Sequence, residues 1–546
     1  MAAHDYQILL ERMLRSGLTR RSLLRRSAGV IGATALAGIS GLAYPPSWVA
    51  AQTAPAGPPK RGGTLRYANT DPLKPLTDPA TVDSLGASDC VRFVADFLTH
   101  VDEKNLPHPY LLESLDASPD LKTWTLVLRQ GPTFNTPTPR PIDSDDVIFN
   151  FKRWLDPKLG TSMTGLLTPY LDETGIEKVD SRTVRLNLKA PTNTLPYDLY
   201  HYAGAIVPRE FEGDFLKQPW GTGPFELVEY VAGEKFTVKA RKNYWRQGAD
   251  GQPLPYLDQV ISIDVKSQSP AYVAGLVSDQ FDVALGIDYS AYRTLKEQHP
   301  DIVLSKVRSA GTLLFRAHVD TKPFDDERVR LALKLCQDRK QIMELALADT
   351  AFEGTDDYVA PEVDPAWYPL DPPKQDLERA RSLLAEAGHP NGFETEMQYP
   401  AAPEFIATAS QVYAQQAKQI GVNIKLVPMP ADAYWAKWTD WTFCAPYWSH
   451  RPLATMTLGL ALRSGAAWNE SHYADKKFDA LLDEATGTVS VDDRRNVYSR
   501  LQPYLREHGP FAEPLFNYAL AGQTKRVQNF KPTAFRYGIF TDTWIE

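Results

Sequence analysis

Between Pro219 and Leu257 the chain reads PWGTGPFELVEYVAGEKFTVKARKNYWRQGADGQPLPYL, and no other stretch restricts the fold as strongly. Gly221-Thr222-Gly223-Pro224 is a compact turn signal, because glycine reaches positive φ and proline fixes φ and cannot donate to a ladder. Phe225 to Val231 and Lys235 to Ala240 are two strand-like runs rich in β-branched and aromatic residues. Only Ala232-Gly233-Glu234 separates them, so a hairpin is the simplest local structure. A phosphate-binding loop would need Lys-Ser or Lys-Thr after the last glycine and a helix to follow. Neither is present, and the block reads as a turn feeding a sheet.

The N-terminus is of a different kind. Arg20-Arg21 and Leu23-Leu24 precede a weakly apolar stretch from Ala28 to Ala43, and Val49-Ala50-Ala51 offers small residues for cleavage. Residues 1–51 are read as an export signal resembling the twin-arginine type, with an ordinary secretory signal carrying extra arginines as the alternative. The apolar run is too short and too broken by glycine and Pro45-Pro46 to serve as a membrane anchor. The whole chain carries a formal charge of −8; without residues 1–51, 53 basic residues face 65 acidic ones, a charge of −12. So acidic a surface argues against nucleic acid as a partner. Cys90, Cys336 and Cys444 are too few and too dispersed for a disulfide framework or a zinc ribbon, and their odd number leaves at least one thiol free. None follows the apolar run closely enough to carry a lipid, so the mature chain is expected in the periplasm without an anchor.

Beyond a Pro/Ala linker at Gln52–Lys60, strand and helix patterns alternate along the mature chain. Gly62–Ala68 (GGTLRYA) gives a first strand. Apolar residues at 91, 94, 95 and 98 suit a helix capped by Ser88 or Asp89. Lys122–Arg129 alternates as a half-buried strand, Ser144–Leu155 opens with a cap residue and two acids, and Val179–Ala190 is a further strand. Val260–Val265 and Tyr272–Leu285 give a strand and a helix-strand step, and acids at Asp325-Asp326-Glu327 open another helix. Asp376–Ala387 (DLERARSLLAEA) is an amphipathic helix with Gly388 at its stop. A helix at Gln411–Ile420 and a strand at Val422–Val427 follow. Asp475–Ala485 and Arg494–Arg506 read as helices, and the tail from Leu515 to Trp544 as short strands. The fold class expected is mixed α/β.

The phrases GTGPFEL, KARKNYW and LPYLD of the Pro219 block resemble the central signature of the large periplasmic solute-binding proteins of the dipeptide, oligopeptide and nickel class. GGTLRYA, the DERVRLAL of residues 326–333, and DLERARSLLAEAGHPNGF fall in the same order as that family's motifs, and the resemblance runs from about Gly62 to Pro532. It implies a periplasmic-binding-protein-like fold with two lobes, a hinge and a discontinuous first domain: domain I from 52–85, 219–308 and 505–546, domain II from 86–218, and domain III, the lid, from 309–504. Ligand would lie between domains I and III, and hinge closure would bury it. The implied partners are a small-molecule or peptide-like ligand and an inner-membrane ABC permease with its ATPase. The protein would act as a monomer and use no cofactor.

Nucleophile-elbow and zinc-protease motifs are absent, and the paired acids at Asp145-Asp146, Asp325-Asp326 and Asp356-Asp357 read as helix caps, so no catalytic residue is assigned. A secreted hydrolase with a dispersed triad is the enzyme alternative. The sharper signal is Ala445–Pro452, where Tyr447, Trp448, His450 and Arg451 lie between prolines; a loop there cannot bury an arginine without a partner. In dipeptide and oligopeptide binders this position carries an acid for the peptide ammonium, so the resemblance implies a reversed charge at Arg451. A guanidinium fork pairs with a carboxylate or phosphate, and the expected ligand is anionic, peptide-like or an opine-like conjugate. Tyr447, Trp448 and His450 are expected on the cleft wall, with Trp468, Asn469 and Met429 as further candidates. An ordinary peptide binder, or a sensor or chaperone-like protein of the same fold, is the alternative. His450 and His472 are too far apart to read as a metal motif, and no metal site is assigned.

Overall fold

Two long antiparallel strands, Val303–Ala317 and Phe511–Gln523, form the axis of the molecule in a computed structural model that describes residues 57–546 apart from Thr70 and Ser267. The export signal and most of the linker lie outside the described residues. The two strands run paired from Val303 opposite Gln523 to Arg316 opposite Phe511, inside a sheet of twelve strands. On one side, Phe511–Gln523 pairs with Val283–Leu285, which leads through Thr64–Asn69 and Gln259–Asp264 to the hairpin of the Pro219 block. On the other side, Val303–Ala317 pairs with Phe443–Cys444, which leads to Phe393–Pro400 and Val422–Met429. A separate antiparallel sheet has the strand order Leu112–Ala117, Thr123–Leu128, Thr183–Asn187, Ile176–Lys178. The fold is mixed α/β, as expected.

The hairpin forms between Phe225–Val231 and Lys235–Ala240, with Gly233 at φ 72° in its turn. Gly221 and Gly223 serve another purpose, since neither has a positive φ. A Cβ on Gly221 would stand 2.1 Å from the Val94 carbonyl oxygen, and one on Gly223 would stand 2.6 Å from the Val94 carbonyl carbon. The Gly223 N–H donates to that same carbonyl at 2.9 Å. Close approach of two backbones, not turn geometry, requires glycine here.

Several element boundaries differ from the sequence reading. The helix expected from Val91 runs over Leu85–Val94 and is capped by Ser84, while Ser88 and Asp89 lie buried inside it. Asp143 caps Ser144–Leu155 through a capping box with Asp146. The tail expected as short strands from Leu515 is occupied up to Gln523 by one thirteen-residue strand, Phe511–Gln523, and only Val527–Gln528 and Trp544–Ile545 beyond it are short. Asp326 caps Glu327–Leu335, as the acids there suggested, and Asp376 caps Leu377–Glu386 from outside the helix.

Buried apolar residues fall into separate clusters. One joins Leu65, Phe93, Trp124, Phe151, Phe225 and Phe540; a second surrounds Val329, Leu383 and Tyr413; a third holds Trp448, Leu458, Tyr498 and Leu501. The long strand pair runs from the first toward the other two. All three cysteines are buried and free. Among the described residues, no helix is long and apolar enough to cross a membrane.

Candidate ligand-binding site

Midway along the long strand pair the register slips: Arg308 faces Tyr518 and Thr312 faces Phe516, so three residues stand opposite Asn517 alone. A bulge of this kind bends a strand and leaves backbone groups unpaired. The freed N–H of Ala310 donates to His450 Nδ1 at 3.1 Å. Next to the bulge opens a cavity of about 350 Å³, walled by Ser309, by Asn517–Leu520, by Tyr447 and Ser449–Pro452, and by the segments 197–202 and 534–537.

Three of the seven residues expected at the site line this cavity: Tyr447, His450 and Arg451. The Ala310 bond makes His450 Nδ1 an acceptor, so the proton sits on Nε2, a buried atom without a hydrogen-bond partner among the described residues. Burial, reinforced by the charges of Arg451 and Arg536, lowers the His450 pKa to about 3, and the ring is neutral at physiological pH. The imidazole stands edge-on to Phe535, with centroids 4.8 Å apart. Tyr447 donates weakly to Asn517 Oδ1 at 3.4 Å.

Arg451 is enclosed by protein yet keeps partial exposure toward the cavity. Its guanidinium lies 5.5 Å from the centre of the Trp448 ring and has no hydrogen bond or ion pair with any described residue. Burial lowers its pKa, against the opposing pull of Tyr202, Asp198 and Tyr358. Asp198, the acid felt by this charge, is itself committed: it accepts from the Thr194 and Tyr170 hydroxyls at 2.7 and 2.8 Å, and burial raises its pKa to about 7. His201 also lines the cavity, with a pKa lowered to about 3 by burial and by Arg451.

The other four residues lie off the cavity wall. Trp448, 5 % exposed, turns away from the cavity and donates from Nε1 to Glu470 Oε1 at 2.8 Å, where Glu470 pairs with the buried Arg316. It backs Arg451 through a cation–π contact. Trp468 packs on Trp438 and Trp448 while remaining 48 % exposed. Asn469 clamps its own loop by donating to the carbonyls of Leu462, Arg463 and Tyr473. Met429 ends the Val422–Met429 strand at the edge of the sheet.

Sequence reasoning missed Arg536, which lines the same cavity at φ 60° and approaches Asp71 at 3.9 Å. A cue was present: Phe535-Arg536-Tyr537 sets an arginine between two aromatic residues, much as Trp448 accompanies Arg451. Asp71 and Asp83 are the acids on the wall, and Asp83 binds Lys74 at 2.8 Å. Among the described residues, Arg451 alone of these charges lacks a counter-ion.

The family model of the bacterial extracellular solute-binding proteins, family 5, matches residues 107–470, well over half of the chain. The chain belongs to this family. Family 5 binding proteins take up peptides or other small molecules and deliver them to ABC importers. Heme-binding protein A of Haemophilus influenzae is 28 % identical over 485 residues, covering 79 % of this chain and 83 % of that protein. Glutathione-binding protein GsiB of Escherichia coli K12 is 27 % identical over 445 residues, covering 77 % and 82 %. The solved structure of HbpA2 from Haemophilus parasuis superposes with a TM-score of 0.75 at 23 % identity, covering 89 % of this chain and all of that one. That likeness concerns the fold.

Proposed function

We propose that this family 5 protein is the periplasmic receptor of an ABC importer for a carboxylate-bearing ligand, peptide-like or an opine-like conjugate, with one carboxylate seated on Arg451. The observation that carries this reading is the enclosed guanidinium without a counter-ion, facing a cavity. A cation half-enclosed by protein and without a counter-ion is poorly compensated, and a ligand carboxylate supplies the missing partner through paired, charge-assisted hydrogen bonds. His450 Nε2–H is a second donor with no acceptor among the described residues. Asp71 on the same wall, whose approach to Arg536 is a long 3.9 Å, suits an amine elsewhere on the ligand, as peptides and opines carry. The name of the GsiB relative points the same way, since glutathione combines an ammonium group with two carboxylates.

In this reading domain I comprises 52–85, 219–308 and 505–546, domain II 86–218, and domain III 309–504. The lid closes by bending of the two long strands where the bulge already interrupts their ladder. Residues 1–51 direct export, the mature monomer works in the periplasm, and adjacent permease and ATPase genes would accompany its own.

Titration calorimetry on the mature chain with glutathione, dipeptides, opine-like conjugates, sugar acids and heme tests the assignment. The best ligand is expected to carry a free carboxylate, and Arg451→Ala to weaken it by roughly tenfold to a hundredfold, the range for a lost charged hydrogen bond. Equal binding by Arg451→Ala and wild type, or a best ligand without an anionic group, would overturn it.

A further inference from the structure

Away from the cavity, His318, Asp320 and His472 bring one ligand atom each to within 4.8 Å of one another. Two backbone bonds fix this meeting. His318 N–H donates to the Thr442 carbonyl at 2.8 Å, and Val319 N–H to the Ser471 carbonyl at 2.9 Å. The end of the Val303–Ala317 strand is thereby tied to the loop carrying His472. His472 takes φ 58°, a left-handed conformation uncommon for a residue with a side chain. It places the imidazole on that of His318, with centroids 3.9 Å apart and planes inclined by 27°.

The proton positions leave a lone pair on each ring. His318 Nε2 faces the Thr439 carbonyl at 3.1 Å; a carbonyl only accepts, so Nε2 holds the proton and Nδ1 is free to ligate. His472 Nδ1 lies 2.9 Å from Asp320 Oδ2, which leaves Nε2 available while this bond holds, or Nδ1 once it opens. A histidine whose second nitrogen donates to a backbone carbonyl, as His318 does, is held as metal-ligating imidazoles are, and an ion bound by both Asp320 and His472 would take the place of the proton between Asp320 Oδ2 and His472 Nδ1.

We propose that His318, Asp320 and His472 form a binding site for a borderline divalent cation of the zinc or nickel kind, separate from the ligand cavity. Two imidazoles and one carboxylate suit such ions, with water completing the shell. Donors about 2.0–2.2 Å from an ion lie roughly 3–3.5 Å apart in a tetrahedral shell. His318 is the buried anchor, at 5 % exposure, and a swing of the two exposed side chains closes the set. The bound ion staples the Trp468–Tyr473 loop to the strand end. This assignment does not rest on the identity of the imported ligand.

Zinc titration by calorimetry, on mature chain freed of affinity tag and stripped with chelator, decides the matter. Uptake of one ion per chain below about 100 µM is expected. His472→Ala and Asp320→Asn each change an exposed side chain, and should melt at the wild-type temperature without metal while losing at least tenfold in zinc affinity. No uptake by the wild type, or a loss smaller than tenfold in either variant, would overturn the site.

Discussion

Asp89 sits inside the Leu85–Val94 helix at 2 % exposure, where its carboxylate accepts from the Tyr67 hydroxyl at 3.1 Å and the Gly538 N–H at 3.0 Å. Burial is the main reason its pKa is raised to about 7; Gly538, Arg92 and Tyr67 pull the other way without cancelling it. An unfolded aspartate titrates near about 3.9, so between these values the folded chain holds a proton that the unfolded chain has lost. The stabilisation is complete below about pH 4 and disappears as pH rises through about 7. Asp89→Asn cannot ionise, and its amide can satisfy the same neighbours. Relative to wild type, it is expected to gain on the order of 2 to 4 kcal/mol between pH 4 and pH 8 in urea unfolding. A wild-type minus variant difference that stays flat over this range would show that Asp89 is not protonated in the fold. Arg451 presents the opposite problem at this scale: as a guanidinium it keeps its charge when half-enclosed by protein, and a counter-ion would relieve it. That is why the sequence could single out the arginine, whereas the direction in which Trp448 faces was not legible in it. A tryptophan beside a cleft has two faces, and only the Glu470 hydrogen bond shows which one the fold uses.

At the scale of elements, the Pro219 block depends on backbone contact. Because a Cβ added at Gly221 would stand 2.1 Å from the Val94 carbonyl oxygen, Gly221→Ala forces the hairpin away from the Leu85–Val94 helix and is expected to cost about 1 to 3 kcal/mol. Gly165, inside the Ser162–Leu167 helix, has nothing within 4 Å of its added Cβ, and Gly165→Ala should stabilise by about 0.5 to 1 kcal/mol. Opposite shifts in urea midpoint for the two variants would verify this contrast; two shifts of one sign would refute it. The block's strands were legible because alternation and turn residues act locally, and helices such as Leu377–Glu386 were legible from cap and period. Gly221 and Gly223 were assigned to a turn because the Val94 carbonyl, more than a hundred residues away in sequence, is invisible in a local reading. The cavity was half legible for the same reason: Tyr447, His450 and Arg451 belong to one loop, whereas Arg536, Asp198 and the bulge at Ser309–Gly311 reach it only through the sheet.

Over the whole molecule, the buried thiols report on separate cores. Cys90 belongs to the cluster around Phe93 and Phe225, Cys336 to that around Val329 and Tyr413, and Cys444 pairs in the sheet beside Arg316. Burial raises all three thiol pKa values, Cys336 to about 12 and Cys444 to about 11, so each thiol reacts only when its surroundings open. The cavity takes its wall from segments on both sides of the long strand pair: 197–202 and 534–537 from one, 447–452 from the other. A ligand held across it cannot stay bound if either side opens. Ligand at a hundred times its Kd adds about 2.7 kcal/mol to any opening that abolishes binding, which corresponds to roughly hundredfold slower thiol labelling. With the best ligand from the calorimetric panel, labelling followed by mass spectrometry is therefore expected to slow at Cys90, Cys336 and Cys444 alike. Protection confined to Cys336 and Cys444 would mean that the first core opens without releasing the ligand, and that binding does not bridge the two sides.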